Sequence, residues 1–136
     1  KETTAQHDDL PTSEIQKEIV KNADTWLGTP YAWGGNTKSG VDCSGFVKQV
    51  YSTVGYDLPR TAATQYEYSE KISTSELKCG DLVFFKKNDK ISHVGIYIGG
   101  NEIIHSASGK GVVRQSFSDT YLQSIYYAAG RVLSKR

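Results

Sequence analysis

From Ile15 the apolar residues Ile19, Val20, Ala23, Trp26 and Leu27 recur at helical spacing, which predicts an amphipathic helix with one buried face. Ser13, with Gln16 three places on, forms a capping box at its start, and Gly28 and Pro30 end it. The stretch from Thr29 to Gly40 holds Gly34, Gly35 and Gly40 among small polar residues and reads as a loop. No Gly-Lys-Ser/Thr follows it, so it is not a phosphate loop. A second helix is predicted from Cys43, with Phe46, Val47, Val50, Tyr51 and Val54 on one face and Gly55 as its stop. A third, shorter one is expected over 62–68. After Glu76 the texture changes to short β-branched and aromatic runs separated by Gly, Asn and Asp turns. Strands are expected over 82–86, 93–98, 103–107, 112–115 and 128–133, with a turn of helix over 119–123. Helices first and strands afterwards predict an α+β domain, an antiparallel sheet with helices packed on one side.

The polar first twelve residues lack apolar periodicity and read as a flexible leader or linker, in which His7 is a solvated tail residue. Residues 13–136 form the one domain that a 136-residue chain accommodates. There is no internal repeat, and no apolar run approaches the roughly 20 residues of a membrane-spanning helix. Sixteen Lys and Arg against fifteen Asp and Glu leave a net charge of +1. The totals therefore point to no nucleic-acid partner and no contact with an anionic membrane. The sequence has no Met, which suggests a trimmed or mature product whose export or anchoring segment has been removed. Its two cysteines, Cys43 and Cys79, form no CxxC pair, which excludes a four-cysteine zinc site and a dense disulfide scaffold and leaves a single disulfide arithmetically open.

Cys43 follows the Gly-rich loop and opens a predicted helix, where unpaired N–H groups and the helix dipole lower a thiol pKa and face a developing oxyanion. It is either a nucleophile or an inert buried thiol. On the strand over 93–98 the period of two separates Val94, Ile96 and Ile98, the core candidates, from His93, Gly95 and Tyr97. Each of His93 and His105 is either a catalytic or a structural imidazole, and their cooperation depends on the turn between their strands. A two-residue turn at Gly100-Asn101 pairs Ile96 with His105 and puts the histidines on opposite faces. A three-residue loop over 99–101 pairs Gly95 with His105, leaving the histidines as diagonal neighbours about 7 to 8 Å apart at Cα. Gly-Gly-Asn favours the three-residue loop. The order is then nucleophile, base and orienting residue: Cys43, His93 and His105. A neutral His105 accepts a hydrogen bond and orients more than it stabilises charge. The same three residues also suit a catalytic metal, a reading that chelator and alkylator would separate.

Five blocks resemble the NlpC/P60 family of bacterial cell-wall cysteine peptidases: Pro30-Tyr31-Ala32-Trp33-Gly34-Gly35, Val41-Asp42-Cys43-Ser44-Gly45-Phe46-Val47, Leu58-Pro59-Arg60-Thr61, Gly80-Asp81-Leu82-Val83-Phe84-Phe85 and His93-Val94-Gly95-Ile96-Tyr97-Ile98-Gly99. The resemblance runs from about Ile15 to Val132. It implies a papain-like fold, Cys43 as nucleophile, His93 as base and His105 as third member, with no cofactor or metal. The implied substrate is the peptide stem of peptidoglycan, cut between D-γ-glutamate and an L-diamino acid, either meso-diaminopimelate or Lys. Where a family member needs a free L-Ala amine, Asp42, Ser44 and Tyr31 match the residues that bind it, and a carboxylate with two hydroxyls suits an ammonium's three donors. Trp33 and Arg60 sit in the same blocks as substrate contacts or as a packing aromatic and a structural Arg. Cys79 stands where similar proteins have Pro, takes no role from the family and is expected as a buried free thiol. The resemblance further implies an extracellular or cell-wall location, a monomer and additional domains N-terminal to this one. The alternative from another class is a non-catalytic wall-binding domain that retains the cleft.

Overall fold

In the computed structural model, residues 9–133 are described; His7 and most of the leader lie outside them. The first helix, α1 (Glu14–Asp24), starts at Ser13, whose hydroxyl accepts the Gln16 N–H while the Gln16 side chain accepts the Ser13 N–H. The Gln16 amide also donates to the Cys79 carbonyl at 3.0 Å, tying this helix to the sheet. Then come a two-residue ribbon, β1 (Asn36–Thr37) with β2 (Gly40–Val41), and helices α2 (Cys43–Ser52) and α3 (Ala62–Tyr68). The sheet strands are β3 (Glu70–Ile72), β4 (Leu82–Lys87), β5 (Lys90–Gly99), β6 (Glu102–Ala107), β7 (Gly111–Ser116) and β8 (Tyr126–Arg131), with α4 (Thr120–Ile125) before the last. They form one antiparallel sheet in the order β3-β8-β4-β5-β6-β7.

The three long elements from the N-terminal half pack on one face of the sheet, as expected. Ile19, Ala23, Trp26, Phe46, Val47, Val50 and Tyr51 meet Leu82, Phe84, Val94, Ile96 and Ile104 there, and all are buried. Fully burying an aliphatic or aromatic side chain of this size is worth about 1.5–3 kcal/mol, so this face supplies the main core. The opposite face differs from the sequence expectation, because it is covered as well. Val83, Phe85, Tyr97 and Ile103 pack there with Phe117 and Leu122, the last from α4. Tyr97, placed away from the aliphatic set by its parity, is therefore also a core residue. Asp9 lies within the first twelve residues, expected as a flexible leader, yet is held: its carboxylate accepts from the Tyr97 hydroxyl at 2.7 Å and its carbonyl from the Cys79 N–H at 2.9 Å.

Candidate active site

Cys43 is the first residue of α2, and Asp42 is that helix's N-cap, its Oδ1 accepting the Gly45 N–H at 2.8 Å. Gly45 is required at that turn: a Cβ there would come 2.5 Å from the Gly35 carbonyl oxygen and 2.8 Å from the Asp42 carboxylate. The chain entering the helix is pinned from both sides. Val41 donates to the Pro30 carbonyl at 3.0 Å, and its own carbonyl accepts from the buried Ser106 hydroxyl at 2.7 Å. The Cys43 thiol is buried and faces the Ser92 carbonyl at 3.9 Å. Burial pushes its pKa up to about 11; the N–H groups of Val94, Ser44 and Cys43 itself pull it down, and the Asp42 carboxylate adds to the rise. This corrects the expectation of a lowered thiol pKa, because loss of water around the sulfur outweighs the donors at the helix start.

The turn between β5 and β6 also corrects the expected one. Gly99 pairs with Glu102 across a two-residue turn, with Gly100 at φ 62° and Asn101 at φ 64°, both left-handed as a type I′ turn demands. A β-bulge then adds one residue, Ile98, between the pairs Tyr97–Ile103 and Gly99–Glu102. The bulge restores the parity that the tight turn would have lost, so Ile96 pairs with Ile104. Continued one residue on, that register sets His105 against Gly95, where a Cβ would come 3.1 Å from the His105 Cβ. The histidines thus share a face, as expected, through a two-residue turn and a bulge at Ile98 in place of the expected three-residue loop. His93 Nε2 and His105 Nδ1 lie 2.7 Å apart, with the rings at 74°.

Phe85 packs against the His93 ring at 5.5 Å between centroids. Burial, the neighbouring His105 and Lys87 drive the His93 pKa down to about 3. Burial also lowers that of His105, against a hydrogen bond to the Gln115 amide oxygen that raises it. The thiol and both imidazoles are therefore neutral at pH 7. Gln115, whose Oε1 lies 2.8 Å from His105 Nε2, was missed by the sequence reading. Its only signal was its place in the strand after His105, and the register of β6 with β7 was needed to put it on the same face.

Cys43, His93 and His105 line one cavity of about 340 Å³, in which Lys87 and Lys110 are the charged residues. A second cavity of about 440 Å³ shares Tyr31, Cys43 and Ser92 with the first and runs past Trp33, Asp42, Ser44 and Arg60. The fold thus brings all five of the expected substrate-contact residues to one side of the thiol. Trp33 is 88% exposed, which removes the packing alternative for it. Arg60 is tied into the fold: it donates to Asp42 Oδ2 at 3.1 Å, to Ser44 Oγ at 2.9 Å and to the Gly35 carbonyl at 3.2 Å, and its Nη1 forms an ion pair with Asp42 Oδ1 at 3.1 Å. The buried Gln65 amide delivers it there by donating to the carbonyls of Ser44 and Pro59. With Gly34 and Gly45 also donating, three hydrogen bonds and the Arg60 ion pair engage both oxygens of the Asp42 carboxylate. Cys79 is buried and free of any disulfide, and burial pushes its thiol up to about 12.

The sequence profile of the NlpC/P60 family matches residues 28–131. The chain is 39% identical over 123 residues to murein DD-endopeptidase MepS/murein LD-carboxypeptidase of Escherichia coli, covering 90% of this chain and 65% of that one. It is 33% identical over 137 residues to gamma-D-glutamyl-L-lysine dipeptidyl-peptidase of Bacillus subtilis, covering 96% of this chain and 46% of that one. It thus spans less than two thirds of the length of these curated relatives. Among solved structures, the NlpC/p60 domain of peptidoglycan hydrolase SagA superposes with a TM-score of 0.76 at 36% identity, covering 86% of this chain and 98% of that one.

Proposed function

The chain belongs to the NlpC/P60 family, and from that premise we propose that it is a peptidoglycan hydrolase, a cysteine endopeptidase acting on stem peptides at the bond between D-γ-glutamate and an L-diamino acid. The observation that carries the reading is the 2.7 Å contact between His93 Nε2 and His105 Nδ1 in the cavity that holds the Cys43 thiol. With Nε2 engaged, His93 keeps Nδ1 for proton transfer. Cys43 Sγ attacks the γ-glutamyl carbonyl carbon as its proton passes to His93 Nδ1. The N–H groups at the start of α2 hold the oxyanion. When the C–N bond breaks, His93 returns that proton to the leaving amine. Water then gives a proton to His93 and attacks the thioester, and the released thiolate takes the proton back. Because thiol and imidazole are both neutral at rest, charge separates only as the carbonyl is attacked.

The leaving amine must sit against His93, so the cavity behind the histidines takes the leaving portion of the stem. Its lysines, Lys87 and Lys110, suit a residue with a free carboxylate, which favours diaminopimelate over Lys. The N-terminal side of the stem lies along the second cavity. There the Asp42 carboxylate is already engaged by Arg60, Gly34 and Gly45, and Tyr31 and Ser44 supply the hydroxyls that meet a terminal ammonium. Among the described residues no helix is long and apolar enough to cross a membrane. A substrate in the wall places the site of action outside the cytoplasmic membrane, and the longer relatives agree with additional domains in the full protein.

The test is mass spectrometry of defined muropeptides incubated with the wild type and with Cys43→Ala. Products ending in D-γ-glutamate from the wild type alone are expected. Cleavage at a D,D-bond, as the name of the E. coli relative records for that protein, would overturn the bond assignment. Equal products from both proteins would overturn the nucleophile. Binding without turnover would support the wall-binding alternative.

A further inference from the structure

His105 orients His93 only if its own tautomer is set, and two neutral imidazoles in contact have two ways of sharing their protons. With His105 Nε2 protonated, Nδ1 is an acceptor, His93 donates from Nε2, and His93 Nδ1 keeps a bare lone pair, the one that the mechanism above gives to the thiol proton. With His105 Nδ1 protonated, every role reverses, and His93 Nδ1 carries a hydrogen and cannot take the Cys43 proton.

We propose that Gln115 is a positioning residue that selects the productive tautomer of both histidines. Gln115 Oε1 lies 2.8 Å from His105 Nε2, and an amide oxygen can only accept, so it demands a hydrogen on that nitrogen. An amide turned over would present its NH₂ group and demand the opposite tautomer, so the protonation of His105 reads out which way Gln115 faces. With Nε2 protonated, His105 Nδ1 accepts from His93 Nε2 at 2.7 Å. Gln115 does not touch the reacting atoms. The proposal rests on the catalytic reading above for its consequence, and on the hydrogen-bond geometry alone for the tautomers.

Long-range ¹H–¹⁵N correlation spectra distinguish the two ring nitrogens of each histidine, and the sequence has only three histidines to assign. At pH 7.5 the wild type is expected to show hydrogen on Nε2 and a bare Nδ1 in both His93 and His105. Hydrogen on His105 Nδ1 would overturn the proposal whatever the activity. Gln115→Leu should give mixed tautomers and a kcat lower by about 10- to 100-fold with KM within about twofold, the loss expected for a base in the wrong state. Gln115→Glu keeps an acceptor and should restore the Nε2 hydrogen and most of that kcat. Unchanged spectra and kcat in Gln115→Leu would remove Gln115 from the role. If the wild type turns over no muropeptide while its tautomers are as stated, the functional reading falls and the tautomer assignment stands.

Discussion

The buried, neutral thiol leads to a measurable consequence for its reactivity. With the Cys43 pKa at about 11, about one thiol in 10⁴ is ionised at pH 7. The thiolate is the species that alkylates, so the rate of Cys43 modification by iodoacetamide in the free protein should rise about tenfold per pH unit from pH 6 to 10. A pre-formed thiolate–imidazolium pair behaves otherwise: it keeps the thiolate through neutral pH and gives a plateau. His93, at about 3, has no proton to form such a pair above pH 4. Peptide-level mass spectrometry of timed samples separates Cys43 from Cys79, whose thiol at about 12 should react more slowly still. A Cys43 profile that levels off below pH 8 would refute the neutral resting state, and with it the claim that burial outweighs the helix-start donors.

Other expectations follow from the same geometry. Gly95→Ala places a Cβ 3.1 Å from that of His105 and 3.2 Å from the Ile103 Cδ1. Overpacking of this kind costs about 1–3 kcal/mol, so a lower Tm should accompany a loss of turnover as the histidine contact lengthens; wild-type values for both would contradict the register. Arg60→Ala removes charge-assisted bonds worth about 1.5–3 kcal/mol from Asp42 and its surroundings, and chemical denaturation should show a drop in that range. Lys87→Gln with Lys110→Gln should raise KM for diaminopimelate stems more than for Lys stems, and equal effects would remove the lysines from recognition. Phe84→Ala opens a fully buried site and should cost about 3–5 kcal/mol in the same denaturation assay.

The contrast between what was legible and what was not follows the range of the forces involved. Local signals sufficed for α1 and α2, because Ser13 with Gln16 and the apolar spacing after Cys43 act within one or two turns of chain. Five strands were legible for the same reason, within two residues at each end except for β5, which starts three residues before the expected 93. The edge strand β3 was not: Glu-Lys-Ile has no apolar alternation, and it becomes a strand only because β8 lies beside it. The Cys–His–His order and the five blocks were likewise visible in the sequence, and they led to the family.

What the sequence could not determine was the state of those groups. Whether two histidines meet depended on a tight turn followed by a bulge at Ile98, two errors of parity that cancel, and no local pattern marks such a pair. The thiol pKa depended on how many atoms the fold packs around the sulfur, a quantity contributed by β5, the Tyr31 segment and Asp42 together. Gln115 reached the histidines only through the register of β6 with β7. Residue identity and local periodicity therefore determined the elements and the candidate chemistry. Tertiary packing decided protonation, direction and mutual contact, because burial and hydrogen bonding are properties of the assembled neighbours and not of the chain that supplies them.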